Sequence, residues 1–383
     1  MKPRVARDPH FDVVVLGDGP GGSAAAAESA RHGLRTALVG RDAGQRSNIG
    51  ECLPPGIRPE LEKAGVWEEF LLDGHTPSAG IRSVWGSPEP SDRDFLFSPY
   101  GAGWHIQRAR FDAMMRRSAT RCGAEALGCR ALRGVTRTSE GWQLDLVTEE
   151  GGCQVTGSRV IDATGRASVF ARRIGVRRRL LDSLTGVAAH FAIGEMLAPI
   201  EPVLLVEAVE NGWWYTAPLP DGERIAVFLT DAAYIQRAGL TQPDRWLALL
   251  ETTVLWGSLP PARGFSPALR ILPAESSFLE QIAGDGWLAA GDAAAAFDPL
   301  SSQGITSAIS SGLAAGRTAA GWLEGDTQAS AMYAASARRK YAEYLAHREV
   351  YYRIERRWPN SSFWKSRHAP PRALATNRKV VSA

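Results

Sequence analysis

One stretch near the start of the chain constrains the fold more than any other. Residues Phe11 to Gly40 read FDVVVLGDGPGGSAAAAESARHGLRTALVG. The short apolar run Val13 to Leu16 has the continuity of a strand buried on both faces. It ends in a glycine turn, the small residues from Ser23 to His32 suit a helix lying close to a sheet, and Thr36 to Val39 is a second apolar run. Within the turn, Gly17, Gly19 and Gly22 satisfy GxGxxG. In that pattern the first glycine permits a tight turn, the second lets a pyrophosphate approach the backbone, and the third lets helix and strand pack closely. The N-terminus of the following helix presents free amides to the negative charge. The stretch predicts a Rossmann-like unit that grips a dinucleotide.

The fingerprint departs from its usual form at one place. An acid that holds the adenosine ribose is expected about twenty residues on, at the end of the second strand. The chain reads ALVGRDAG there, with Gly40 at the expected place and Asp42 just beyond it. The ribose contact is either lost or made by Asp42 or Arg41.

At 383 residues, 44% hydrophobic and 22% charged, the chain has the composition of a globular enzyme with a sizeable core. Its net charge of +3, carried almost wholly by arginine, gives no reason to expect nucleic acid as a partner. No apolar run reaches the roughly eighteen residues of a membrane span, and the N-terminal MKPRVARDPH lacks the apolar centre of a secretion signal. A cytoplasmic location away from membranes is the expectation. The four cysteines, Cys52, Cys122, Cys129 and Cys153, form no CxxC pair, so free thiols and no metal site are expected.

Further along, helical spacing is read over Glu60 to Leu72, Arg110 to Arg121, Gly304 to Leu323 and Ala329 to about Arg357, and strands over Ile81 to Trp85 and Asp94 to Phe97. From about Arg178 to Leu272 the segments TGVAAHFAIG, PVLLVEAVENGWWYTAPLP and GERIAVFLTD, separated by ENG and PDG, predict an antiparallel sheet inserted in an α/β chain. The predicted organisation is a discontinuous nucleotide domain (1–74, 106–177 and 273–328), a substrate domain (75–105 and 178–272), and a C-terminal helix and tail (329–383). The C-terminal arginines read as a solvated helix face and the tail after Trp364 as loose.

Two later stretches decide the cofactor. VIDATGRASVFARRIG is a strand running through Asp162, Thr164 and Gly165 into a basic helix, and GWLAAGDAAAAFDPLSSQGITSAISSG is a strand, an acid-bearing turn and a helix start. Together with the glycine turn they resemble the flavoprotein monooxygenases of the p-hydroxybenzoate hydroxylase superfamily. The resemblance covers nearly all of the first 325 residues or so and implies an α/β (α+β overall) fold, with a Rossmann-like FAD-binding domain of the glutathione reductase type. It implies FAD at Gly17, Gly19 and Gly22, with Gly291 and Asp292 at the ribityl chain and Arg108, in HIQRARFDAMM, along the cofactor. By the same resemblance Pro299 stands over the ring, and the amides after Gln303, at Gly304 and Ile305, face the flavin pyrimidine edge. A helix N-terminus there stabilises the negative charge of a reduced flavin. IGECLPPGI resembles the GExxxP element of flavin-dependent halogenases and places Glu51 beside the ring. WWYTAPLPDG and RRWPNSSFW resemble the branch of flavoproteins that mature tryptophylquinone-containing amine oxidases and dehydrogenases.

The resemblance implies monooxygenation with dioxygen through a flavin C4a-hydroperoxide, hydroxylating an aromatic ring. The implied substrate is an aromatic small molecule or the indole of a tryptophan-containing peptide or protein. No second GxGxxG opens a helix after a strand, so NAD(P)H visits transiently or a partner flavin reductase supplies reduced flavin. Three other readings stand beside this one. Halogenation shares the intermediate, but tryptophan halogenases need a lysine where TPSAGIRSVWG offers only Arg82, and a guanidinium stays protonated. A geranylgeranyl-reductase-like enzyme would reduce a double bond of an isoprenoid, but the polar edges of Trp213, Trp214 and Tyr215 suit an aromatic or peptide ligand better than an isoprenoid chain. A non-catalytic maturation scaffold would bind flavin without turnover. For the substrate site the candidates are Trp214, Tyr215, His190 and Arg82, with His190 a proton acceptor and Glu51 an orienting acid; sequence leaves the strand parity open.

Overall fold

The structure, a computed structural model, describes residues 10–41, 50–192, 202–257 and 268–369. Two large sheets organise it. In the first, strands His10–Leu16 and Thr36–Gly40 pair in parallel, flanked by Gly152–Asp162 and Glu125–Gly128, with Trp287–Ala289 beyond. Val13, Val14 and Val15 are all fully buried, because helices and a hairpin cover both faces; hence the unbroken apolar run. The register sets Leu16, Val39, Asp162 and Ala289 level with one another. The turns after four parallel strands therefore open along one edge, where open α/β sheets take their ligands.

Helix Pro20–Arg31 packs along helix Gly304–Leu323 with unusually close backbones. A methyl group built on Gly312 would lie 2.1 Å from the Gly21 carbonyl oxygen, and one on Gly316 would lie 2.8 Å from that of Ala25. The glycines and alanines of both helices allow this approach, and the shared direction brings both N-termini to the same sheet edge. The helix expected over Glu60 to Leu72 is two helices, Ile57–Ala64 and Trp67–Leu72, because Gly65 turns the chain at φ +69.

The second sheet has seven strands in the order Arg270–Pro273, Leu184–Ala192, Glu223–Asp231, Gly212–Pro218, Val203–Val209, Gly80–Val84 and Ser91–Asp94. All its pairs are antiparallel except Val203–Val209 with Gly80–Val84. One face is covered by helix Pro243–Glu251, whose Trp246 stacks among Trp214, Phe228 and Phe191. The other face looks toward the ligand edge of the first sheet.

The C-terminal helix, Ala329–Ile354, has a solvated face and a buried one. Its exposed side carries arginines, but Tyr333, Tyr341, Tyr344 and Tyr352, spaced along one stripe, are buried against both sheets. The segment after it is packed as well. Helix Ser362–His368 sets Phe363 and Trp364 under the second sheet, and buried Arg367 donates to Asp231 at 2.9 Å. The expectation of a loose chain from Trp364 is corrected as far as Ala369, since that stretch closes the second core; residues 370–383 lie outside the described residues.

Candidate functional site

A cavity of about 2010 Å³ runs from the glycine turn to the inner face of the second sheet. At one end Gly17 adopts φ +101 and its amide donates to the Val39 carbonyl at 2.7 Å. A methyl built on Gly22 would stand 1.7 Å from the Gly17 oxygen, whereas one on Gly19 would meet nothing within 4 Å. Gly17 and Gly22 shape the turn; Gly19 leaves room for a ligand. The helix that begins at Pro20 has no side-chain cap and no acid in its first turn, and the same holds for the helix that begins at Gly304 after Gln303. Two sets of free amides thus face one cavity, and Gly304 is as open as Gly19. This arrangement fits a long ligand whose diphosphate sits at the glycine turn and whose ring, negatively charged when reduced, lies at the second helix start, as in FAD.

The residues between these ends are held by arginines. Arg108 begins helix Arg108–Arg121, binds Asp112 through Nε at 2.9 Å and lies against Gly50. The Gly291 amide donates to Ser311 Oγ at 2.8 Å, and the Asp292 carboxylate stands 3.7 Å from Arg166 Nε. Arg178 donates to the Asp292 and Ala293 carbonyls at 2.6 and 3.0 Å, and Arg166 to that of Phe297 at 3.1 Å. Sequence reading passed over both arginines, although each stands among basic residues after a strand. Asp162 is structural: its carboxylate accepts from Thr164 and from the Ala171 amide, capping the short helix beyond. Arg108, Asp292, Pro299, Gln303, Gly304 and Ile305 all line the cavity. Arg41 lines it too, while Asp42 lies outside the described residues.

Deeper in, Glu51, Cys52 and Tyr215 meet. Glu51 is 3% exposed; its Oε2 accepts from the Gly50 amide at 2.9 Å, and its buried Oε1 has no protein partner. Burial raises the Glu51 carboxyl above its ordinary range, against the Gly50 amide and the charges of Arg108 and His190. Burial likewise pushes the Cys52 thiol well up, with the Glu51 charge adding to it, and does the same to the Tyr215 phenol. His105, 3.4 Å from Cys52 Sγ, is lowered to about 4 chiefly by burial and is neutral near pH 7. An orphaned buried carboxyl oxygen on a cavity wall is a group awaiting a ligand donor. Because the folded chain binds the Glu51 proton more tightly than the unfolded chain does, apoprotein stability falls as pH rises from the ordinary carboxyl value near 4.3 through the raised one. The loss is about 1.4 kcal/mol for each unit between the two values. Glu51→Gln removes this component, so the urea stability curves of variant and wild type diverge over that window; parallel curves would refute the assignment.

Three of the expected substrate residues are placed elsewhere. Trp214 is corrected: it is 1% exposed on the outer face, stacked on Phe228 and edge-to-face with Trp246, because side chains alternate along Gly212–Pro218. Its neighbours Trp213 and Tyr215 hold the cavity face. Arg82 is corrected as well: it points to the edge of the sheet and forms a two-pronged bond with Asp92 at 2.8 and 3.1 Å, while Ile81 and Ser83 line the cavity. His190 shares the inner parity of Gly186 and is near enough for its charge to act on Glu51, but it does not line the cavity, being 37% exposed and 3.4 Å from Glu223. A further group was invisible to sequence reading. Asp298, 1% exposed, accepts from Tyr352 Oη at 2.8 Å, Arg348 Nε at 3.1 Å and the Leu300 amide at 2.9 Å, and Trp213 Nε1 donates to Tyr352 Oη at 3.1 Å. The C-terminal helix thereby fixes both the Pro299 turn and the Trp213 wall.

Among the described residues no cluster of His, Cys, Asp and Glu could hold a metal, and no helix is long and apolar enough to cross a membrane. Residues 10–348 match the family described as FAD binding domain. The chain is 30% identical over 365 residues to the putative FAD-dependent oxidoreductase LodB of Marinomonas mediterranea, covering 94% of this chain and 97% of that protein. Among solved structures it resembles the myxobacterial chondrochloren halogenase CndH (TM-score 0.84, 24% identity, 94% of this chain and 86% of that one). It also resembles QhpG, a peptidyl tryptophan dihydroxylase essential for tryptophylquinone cofactor biogenesis (TM-score 0.78, 23% identity, 96% and 81%). A glycine turn and a second helix start opening on one cavity, with a match across most of the chain, make this protein a member of the FAD binding domain family and an FAD-dependent oxidoreductase.

Proposed function

We propose that the protein is an FAD-dependent monooxygenase that hydroxylates an electron-rich ring, the indole of a tryptophan carried on a peptide or protein. The observation that carries this reading is the mouth of the cavity. It is rimmed on one side by Phe97 and Tyr100, at 91% and 47% exposure, and on the other by Val350, Tyr351 and Ile354 of the C-terminal helix. Exposed large apolar side chains on both lips of an active-site opening suit a polypeptide lying across it. At about 2010 Å³ the cavity also exceeds the roughly 300–1,000 Å³ of an ordinary small-molecule site, leaving space beyond a bound cofactor. The relative LodB supports FAD-dependent oxidation, and the fold neighbour QhpG, a peptidyl tryptophan dihydroxylase, is in keeping with the same substrate class.

Bound FAD, once reduced and met by dioxygen, supplies an electrophilic oxygen. The chain's own residues do the rest. Gly19 and the amides after it would hold the diphosphate, and the amides after Gln303 would stabilise the negative charge of the reduced ring. Trp213 and Tyr215 present edges and faces against which an indole stacks, and the apolar inner sheet excludes water. Glu51, with its unpartnered Oε1, accepts the indole N–H and orients the ring. Halogenation through a lysine-borne species is disfavoured, since no lysine among the described residues lines the cavity.

Phe97→Asp is expected to raise the KM for a tryptophan-containing peptide about tenfold or more, as loss of an apolar anchor does, while leaving oxygen uptake with free indole unchanged. The measurement is oxygen consumption by reduced holoenzyme against each substrate. Equal changes for peptide and free indole would rule the rim out as the docking surface.

A further inference from the structure

We propose that Asp18 holds the adenosine ribose of FAD, the task that an acid at the end of the second strand performs in the usual fingerprint. The chain has Gly40 at that place. A methyl built on Gly40 would fall 2.1 Å from Asp18 Cγ and 2.3 and 2.6 Å from its two carboxylate oxygens. The acid of the glycine turn thus fills the volume where a side chain at position 40 would begin. Gly40 is not in a left-handed conformation, so the glycine is explained by the neighbouring carboxylate rather than by backbone strain.

Asp18 is 6% exposed and lines the cavity. The Asp18 backbone oxygen accepts from Ser23 Oγ at 3.0 Å, which fixes the turn, and Arg116 stands 3.9 Å from Oδ2 on the side of helix Arg108–Arg121. A carboxylate is an acceptor at every lone pair and matches vicinal hydroxyls, which both donate. Facing the diphosphate it would repel; turned to the end of the second strand it meets the sugar instead. The acid has been moved across the crevice from one strand end to the adjacent turn, and the glycine at 40 makes space for it.

The test is titration of the flavin-stripped full-length protein with FAD and with FMN, which lacks the adenosine ribose, followed by flavin fluorescence, with apoprotein thermal unfolding as the folding control. Asp18→Asn is expected to weaken FAD roughly ten- to a hundredfold, as loss of a charged hydrogen-bond acceptor does, and to leave FMN unchanged. The double change Asp18→Gly with Gly40→Glu, which returns the acid to its usual strand end, is expected to recover most of the FAD affinity. FAD binding by Asp18→Asn equal to wild type or tighter would overturn the proposal, tighter binding meaning that the carboxylate faces the diphosphate. A parallel loss of FMN, or a folded double variant that stays weak, would overturn it too. All readouts are binding, so they stand apart from any result on hydroxylation.

Discussion

Gly22→Ala is expected to yield a chain that emerges colourless and binds no FAD. The added methyl would sit 1.7 Å from the Gly17 oxygen and 2.8 Å from the Gly17 carbonyl carbon, and 3.1 Å from the Ala163 side chain. All of these lie at the crossing of the first helix and the first strand. The backbone cannot retreat, because the Gly17 amide is tied to Val39 and the Ala163 amide to the Leu16 carbonyl, both at 2.7 Å. Overpacking of this kind costs on the order of 3 kcal/mol, and relief comes only by opening the turn that would cradle the diphosphate. Flavin absorbance of the purified variant and its thermal unfolding measure the two effects. Gly19→Ala at the same turn is the contrast, since its methyl meets no protein atom and interferes only with a ligand.

Asp298→Ala carries the second large effect. The carboxylate is buried and serves Arg348, Tyr352 and the Leu300 amide at once, while Arg348 also reaches Asp182 at 2.8 Å. Removing one member of a buried ionic pair costs up to about 3–5 kcal/mol, and the retained Asp182 partner of Arg348 places this loss toward the lower end. Asp298→Asn keeps the shape and part of the bonding and is expected to fall between. The loss also reaches the site, because Tyr352 orients Trp213 and the Asp298 amide itself donates to Tyr344 Oη at 2.7 Å. Urea unfolding of the three proteins gives the order, and equal midpoints would show the network to be idle.

These two positions mark what sequence conveys and what it hides. The glycine turn is local: Gly17, Gly19 and Gly22 lie within one turn and their spacing speaks for the backbone they need. The helix start at Gly304 is legible for the same reason, being a small-residue run after a strand. Asp298 is separated from Arg348 and Tyr352 by 50 and 54 residues, and nothing in either segment signals the other. The long helix carries four arginines and five tyrosines, and composition alone does not say that four of those tyrosines share one buried stripe. Trp213 and Trp214 differ by one position, and alternation along a strand turns that step into opposite faces of the sheet. Parity was set by pairing with Glu223–Asp231 and by the Trp246 helix, neither of which the tryptophans themselves encode. Gly40 was visible as a departure, but its reason, the Asp18 carboxylate beside it, required the distance between two chain segments.

The central claim is that dioxygen, activated at the end of the cavity beside Glu51 and Trp213, is delivered to an indole on a polypeptide. The most direct measurement is mass spectrometry of a tryptophan-containing peptide after aerobic turnover with reduced FAD-loaded protein under isotopically labelled dioxygen, with halide present. The account predicts that labelled oxygen enters the peptide at the tryptophan ring. A halogen on the ring, or reduced flavin consumed with the peptide unchanged, would contradict it.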